Sequence, residues 1–334
     1  MTDSNHWIEL TNANGMRVRL VDIGASIASI QLPMANGEMR EVVVGCDRRD
    51  DYLDNPAFLG ANVGRFANRI EAGQFSIGDQ QYQVTINQAP NHLHGGSQFS
   101  HNAWQLVSHD RQSAVYQFES KDGDEGYPGN LVAKVHYQLG DNNDLKISYE
   151  ATVDQPCPVN LTNHSYFNLD AEQATVLQHQ MQVAAQHYLP VREGGIPEGQ
   201  IATVADTSFD FRVAKTIGAD LLSDEQQQRV KGIDHSFIIE PQLAATEPAA
   251  KVTSADRQVV LSVFTSKPAV HIYTGNFLGG VATRDGDGVD YQGVALETQY
   301  LPDAPNQNWP HQSCILQPGE TYKHFTCFQF SIED

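Results

Sequence analysis

Two runs of alternation limit the fold more than any other feature of these 334 residues. Residues 131–139 read LVAKVHYQL and put Leu131, Ala133, Val135, Tyr137 and Leu139 on one side. Residues 145–153 read LKISYEATV and put Leu145, Ile147, Tyr149, Ala151 and Val153 on one side. Period two belongs to strands, because successive side chains leave opposite faces of the pleat. The GDNND between the runs is turn chemistry, so the pair predicts an antiparallel hairpin. Strand-like segments recur at 16–21, 26–32, 42–44, 82–87, 103–107, 114–119, 180–184, 237–240, 258–264, 270–274, 293–299 and 322–332. Helical signal is confined to 220–230, with one short turn at 49–55. A parallel βαβ sheet needs helices at regular intervals, and these are missing. The expectation is an all-β chain, a large antiparallel β-sandwich or barrel with few short helices. With no internal repeat and no low-complexity linker, residues 1–334 read as a single domain, and the Ala/Pro-rich 241–250 as a surface loop.

Charge narrows the partners. There are 21 Lys and Arg against 41 Asp and Glu, a formal charge of −20. Such a surface repels nucleic acid and anionic membranes, and argues against a strongly anionic substrate. The N-terminus has neither a basic region nor an apolar one, and no apolar run approaches membrane-spanning length. Cys46, Cys157, Cys314 and Cys327 are scattered and form no CxxC pair, which fits reduced thiols and a cytoplasmic address.

Six stretches are rich in reactive side chains. In 291–312, Glu297 ends a strand and is followed by Pro302, Pro305 and Pro310, so it is either a positioned general base or a surface Glu before a stiff turn. GRFANRI, 64–70, supplies Arg65, Asn68 and Arg69, suited to sugar hydroxyls or a carboxylate, or simply to solvent. NHLHGG carries His92 and His94 two apart, on one face if extended. No matching ligand spacing accompanies them, so no metal is expected. In LTNHSYFNL an extended backbone would align Thr162, His164, Tyr166 and Asn168. His164 could deliver a proton near neutral pH or be satisfied structurally. Asp234 and His235 precede an apolar strand, where Asp234 could bind hydroxyls or cap a turn. In VHIYTGNFLGG, His271 and Tyr273 share a strand face.

In this order, GRFANRI, NHLHGG, DGDEGYPGNL, NHSYFNL, DHSFII, YTGNF and ETQYLPDAPNQ resemble the aldose 1-epimerase (galactose mutarotase) family along nearly the whole chain. The resemblance implies a galactose mutarotase-like supersandwich with an open sugar cleft. It implies Glu297 as general base and His164 as general acid, with Asn68, Arg69, His94 and Asp234 on the sugar hydroxyls and Tyr166 lining the site. Where many members carry Gln ahead of YTGNF, this chain carries His271, whose neutral ring also donates and accepts.

The implied chemistry opens a pyranose by taking a proton from O1 and giving one to O5, with base and acid on opposite sides of the C1–O5 bond. No redox change occurs, so no cofactor is expected. The partner is a free aldohexose, and the protein a monomer or homodimer. The rival readings are a hexose-6-phosphate 1-epimerase, which needs clustered cations, a glycosidase, which needs two carboxylates, and a non-catalytic sugar-binding module.

Overall fold

The computed structural model describes residues 6–172, 174–240, 246–309 and 313–333. The alternating runs become the strands Leu131–Leu139 and Asp144–Val153, paired antiparallel from Leu131↔Val153 to Leu139↔Leu145. Their apolar sides are buried, and the intervening residues reach solvent in varying degree. They lie inside a nine-stranded antiparallel sheet beside Tyr322–Ile332 and Val259–Thr265.

A second sheet of seven strands runs Ala202–Thr203, His187–Tyr188, Asp234–Ile238, Ala269–Tyr273, Val294–Gln299, Tyr166–Phe167 and Val43–Val44. One face of it packs on the nine-stranded sheet. Phe167 sits 4.8 Å, centroid to centroid, from Phe328, and Thr298 hydrogen-bonds Thr326 across the interface. Val270, Ile272, Val294, Leu296 and Phe237 share that core. Burying each such side chain contributes about 1.5–3 kcal/mol. A third sheet, of four strands from Trp7 to Glu41, completes the sandwich.

The helix read over 220–230 is shorter than expected, at Glu225–Val230. Leu222 takes a positive φ of 60°, which a right-handed helix cannot contain. The helix then starts at Asp224, whose carboxylate accepts from Gln227 N at 3.0 Å. The turn at 49–55 is a 3₁₀ turn, Arg49–Tyr52. The segment at 82–87 is displaced to Gln80–Gln83, where it pairs with Gln74–Ile77. Residues 241–245 of the loop, and Pro310, lie outside the described residues. Among the described residues no helix is long and apolar enough to cross a membrane.

Candidate active site

Strand alternation decides what faces away from the core. In the seven-stranded sheet, Asp234, Ser236, His271, Tyr273, Ala295, Glu297 and Tyr166 are in phase with one another and out of phase with the core residues. Register then makes two rows: Ser236, His271 and Glu297 side by side, and Asp234, Tyr273, Ala295 and Tyr166 beside them. Asp234 and His235 therefore belong to the strand rather than preceding it. Asp234 turns to the cleft, and His235 turns inward against Phe209, 4.5 Å between centroids.

A cavity of about 310 Å³ opens on this face. Asn68, Arg69, His94, His164, Tyr166, Asp234, His271 and Glu297 all line it. Sequence reasoning thus named eight side chains that the fold brings together. It did not name Phe58, Gln88 or Phe277, which also line the cavity. Phe277 lay within the YTGNF segment, whereas Phe58 and Gln88 carry no signal in a single sequence.

His164 sits between two short strands of different sheets, Thr162–Asn163 and Tyr166–Phe167. Ser165 Oγ donates to Asn163 Oδ1 at 2.7 Å and fixes the break. His164 Nε2 then lies 3.5 Å from Glu297 Oε1. The base and acid candidates are therefore adjacent. His164 Nδ1 and Glu297 Oε2 are both buried and find no hydrogen-bond partner among the described residues. Burial, reinforced by the charge of Asp234, pushes the Glu297 carboxyl well above its ordinary range, with Arg69 acting in the other direction. Burial also lowers His164 to about 4. Both shifts favour an uncharged pair, Glu297 carrying the proton and His164 neutral.

Arg69 is held on every side. It pairs with Leu93 across a two-residue ladder, and its carbonyl accepts from Asp303 N at 2.8 Å. Its Nε donates to Gln88 at 2.8 Å and Nη2 to Asp234 Oδ2 at 3.2 Å. Gly195, at φ 72°, passes so close that a Cβ there would stand 2.6 Å from the guanidinium carbon. The loop after Glu297 is therefore a buttress: Asp303, fully buried, also accepts from Glu71 N at 2.9 Å. Asp234 Oδ1 accepts from His271 Nε2 at 2.7 Å. Burial opposes ionisation of Asp234, but Arg69 and His271 outweigh it and hold its carboxyl far below the usual range.

The HxH pair divides. His94 takes φ 53°, which ends the extended run, so His92 and His94 do not share a face. His92 is structural, tied to Thr85 O at 2.6 Å and Tyr127 Oη at 2.9 Å. Arg65 is structural too, buried and donating to Ser120, Pro128 and Gly129. His94 Nδ1 accepts from Asn68 N at 3.2 Å, so its Nε2 carries a proton toward the cavity. Nitrogen and oxygen atoms of His94, His164 and Glu297 come within 4.8 Å of one another. A metal would need a lone pair on His94 Nε2, which this tautomer lacks. The donor set therefore does not fit a resident ion.

The sandwich thus carries a cavity in which a buried carboxyl and imidazole, Glu297 and His164, lie among further polar side chains. The sequence profile of aldose 1-epimerase matches residues 6–329. Aldose 1-epimerase of Escherichia coli (strain K12) is 46% identical over 329 residues, 98% of this chain and 95% of that one. Galactose mutarotase of Bos taurus is 39% identical over 324 residues, 95% and 92% of the two chains. The crystal structure of an aldose epimerase homologue from C. elegans superposes with a TM-score of 0.89 at 30% identity, covering 98% of this chain and 99% of that one. The chain belongs to the aldose 1-epimerase family, whose reaction interconverts the anomers of a sugar.

Proposed function

We propose that Glu297 and His164 together carry out ring opening of a free aldohexose such as glucose or galactose. The observation behind this is the 3.5 Å approach of Glu297 Oε1 to His164 Nε2 at the base of the cavity. O1 and O5 of a pyranose are bonded to the same carbon, so their proton partners must also be neighbours. On sugar binding the single proton of the pair passes from Glu297 to His164, which leaves a carboxylate and an imidazolium. Glu297 takes the O1 proton, the C1–O5 bond breaks, C1=O1 forms, and His164 gives its proton to O5. The pair is then uncharged and the sugar is an open aldehyde. Rotation about C1–C2 exposes the other face of the carbonyl. Reclosure returns the proton from Glu297 to O1 and the proton of O5–H to His164. The pair is uncharged again in the ring-opened state, the form that burial favours.

Asn68, Arg69, His94 and Asp234 would hold the hydroxyls, and Tyr166 would line the site. Their fixed positions contribute orientation. Asp234, bound by both Arg69 and His271, is not free to act as a second catalytic carboxyl, which disfavours a glycosidase. The four free thiols support a cytoplasmic location. The test is polarimetry on freshly dissolved α-glucose and α-galactose. Equilibration faster than in buffer supports the reading. A rate enhancement seen only with glucose 6-phosphate contradicts it.

A further inference from the structure

His271 lines the cavity, yet both of its ring nitrogens are already engaged. Nε2 is 2.7 Å from Asp234 Oδ1, and Nδ1 is 2.9 Å from Ser236 Oγ. An imidazole has only these two in-plane positions for hydrogen bonds. It cannot bond a sugar hydroxyl without releasing Asp234 or Ser236. Asp234 is an ionised acceptor, so Nε2 must carry the proton it donates. In the neutral ring Nδ1 is then an acceptor, and the Ser236 hydroxyl donates to it. Ser236 and His271 are 1% and 3% exposed, so water competes little for either bond. Antiparallel register sets the spacing, with Ser236 directly opposite His271.

We infer that Ser236 and His271 are positioning residues that act on the sugar only through Asp234. Ser236 anchors the His271 ring through Nδ1, and His271 fixes one carboxylate oxygen of Asp234. Arg69 fixes the other. Each oxygen keeps one lone-pair direction for a sugar hydroxyl. Here His271 presents its Nε2–H to Asp234, and the Ser236 hydroxyl on Nδ1 holds the ring in that orientation. Nothing in the sequence pattern singles out Ser236, which lies between His235 and Phe237 in the DHSFII segment. The inference rests on the reading that Asp234 holds the sugar.

The test is steady-state mutarotation of α-glucose by Ser236→Ala, Ser236→Thr, His271→Leu, the Ser236→Ala/His271→Leu pair and Asp234→Asn. Loss of one buried hydrogen bond should raise KM about three- to tenfold in Ser236→Ala and leave kcat within about twofold. Ser236→Thr, which keeps the hydroxyl, should recover most of that loss. In the double variant, Ser236→Ala should add almost nothing to the KM of His271→Leu, because the bond it removes is already gone. An unchanged KM in Ser236→Ala overturns the inference, and so do additive effects in the pair. Where Ser236→Ala does not fold, an unchanged KM in His271→Leu overturns it. If Asp234→Asn raises KM and Ser236→Ala does not, only the positioning role falls. If Asp234→Asn leaves KM unaltered, the sugar-binding reading falls with it.

Discussion

Glu297 Oε1 and His164 Nε2 lie 3.5 Å apart, and the second polar atom of each group is buried with no partner among the described residues. Both side chains line the cavity, and the proposed function assigns them the proton transfers. The consequences can be measured separately.

The first is pH dependence. The pair needs one proton between its two members. Below the His164 value of about 4, imidazole gains a proton while Glu297 is still protonated, and no base remains. Above the raised value of Glu297, the pair holds no proton, and no acid remains. A plot of kcat/KM against pH is therefore a broad bell, since that ratio reports the free enzyme. An acidic limb near 6.5, the ordinary histidine value, would contradict this.

Stability should also respond at Glu297. Its folded-state carboxyl titrates above the unfolded one, so the folded chain holds a proton that the unfolded chain releases. The associated stability is present at low pH and lost as pH rises toward the folded value. Glu297→Gln removes this dependence. Its melting temperature should exceed the parent's by about 2–4 °C at pH 8 and converge with it near pH 4. Scanning calorimetry at the two pH values checks the sign.

Arg69 binds Gln88 and Asp234 through different nitrogens. Lysine is a point charge and cannot serve both. Arg69→Lys should raise KM about tenfold or more, with a smaller fall in kcat, consistent with the loss of about 1.5–3 kcal/mol for a hydrogen bond to a charged group. Progress curves over a range of sugar concentrations separate the two constants.

Gly195→Ala attacks the same guanidinium from behind. The position has φ 72°, and a new Cβ would meet the Arg69 guanidinium at 2.6 Å. Backbone strain alone should cost about 1 kcal/mol of stability, and displacement of Arg69 should raise KM. A melt and a KM determination on one preparation test both effects.

The sheet architecture was readable because alternation is a direct imprint of burial on one face. The hairpin of Leu131 to Val153 was found with its partner residues correct in phase, and Tyr322–Ile332 with its ends correct. The helix at 220–230 was overread, since nothing in the sequence marks the positive φ of Leu222. The cavity-lining candidates were legible largely through the ordered motifs of a family. Glu297 alone, or His164 alone, could equally have been structural. The HxH reading failed at a single dihedral, the φ of His94, which sends His92 and His94 to different surroundings. Ser236, Gln88 and Phe58 stayed hidden because their importance comes from register and loop approach, which join residues far apart in the chain.

The most direct test of the account is Glu297→Gln, followed by polarimetry on freshly dissolved α-galactose beside calorimetric titration with the same sugar. Glutamine keeps the size and position of the side chain but cannot accept the O1 proton. The account predicts a loss of mutarotation of about 10²–10⁴-fold with sugar binding retained. Mutarotation at the parent rate in this variant would contradict it.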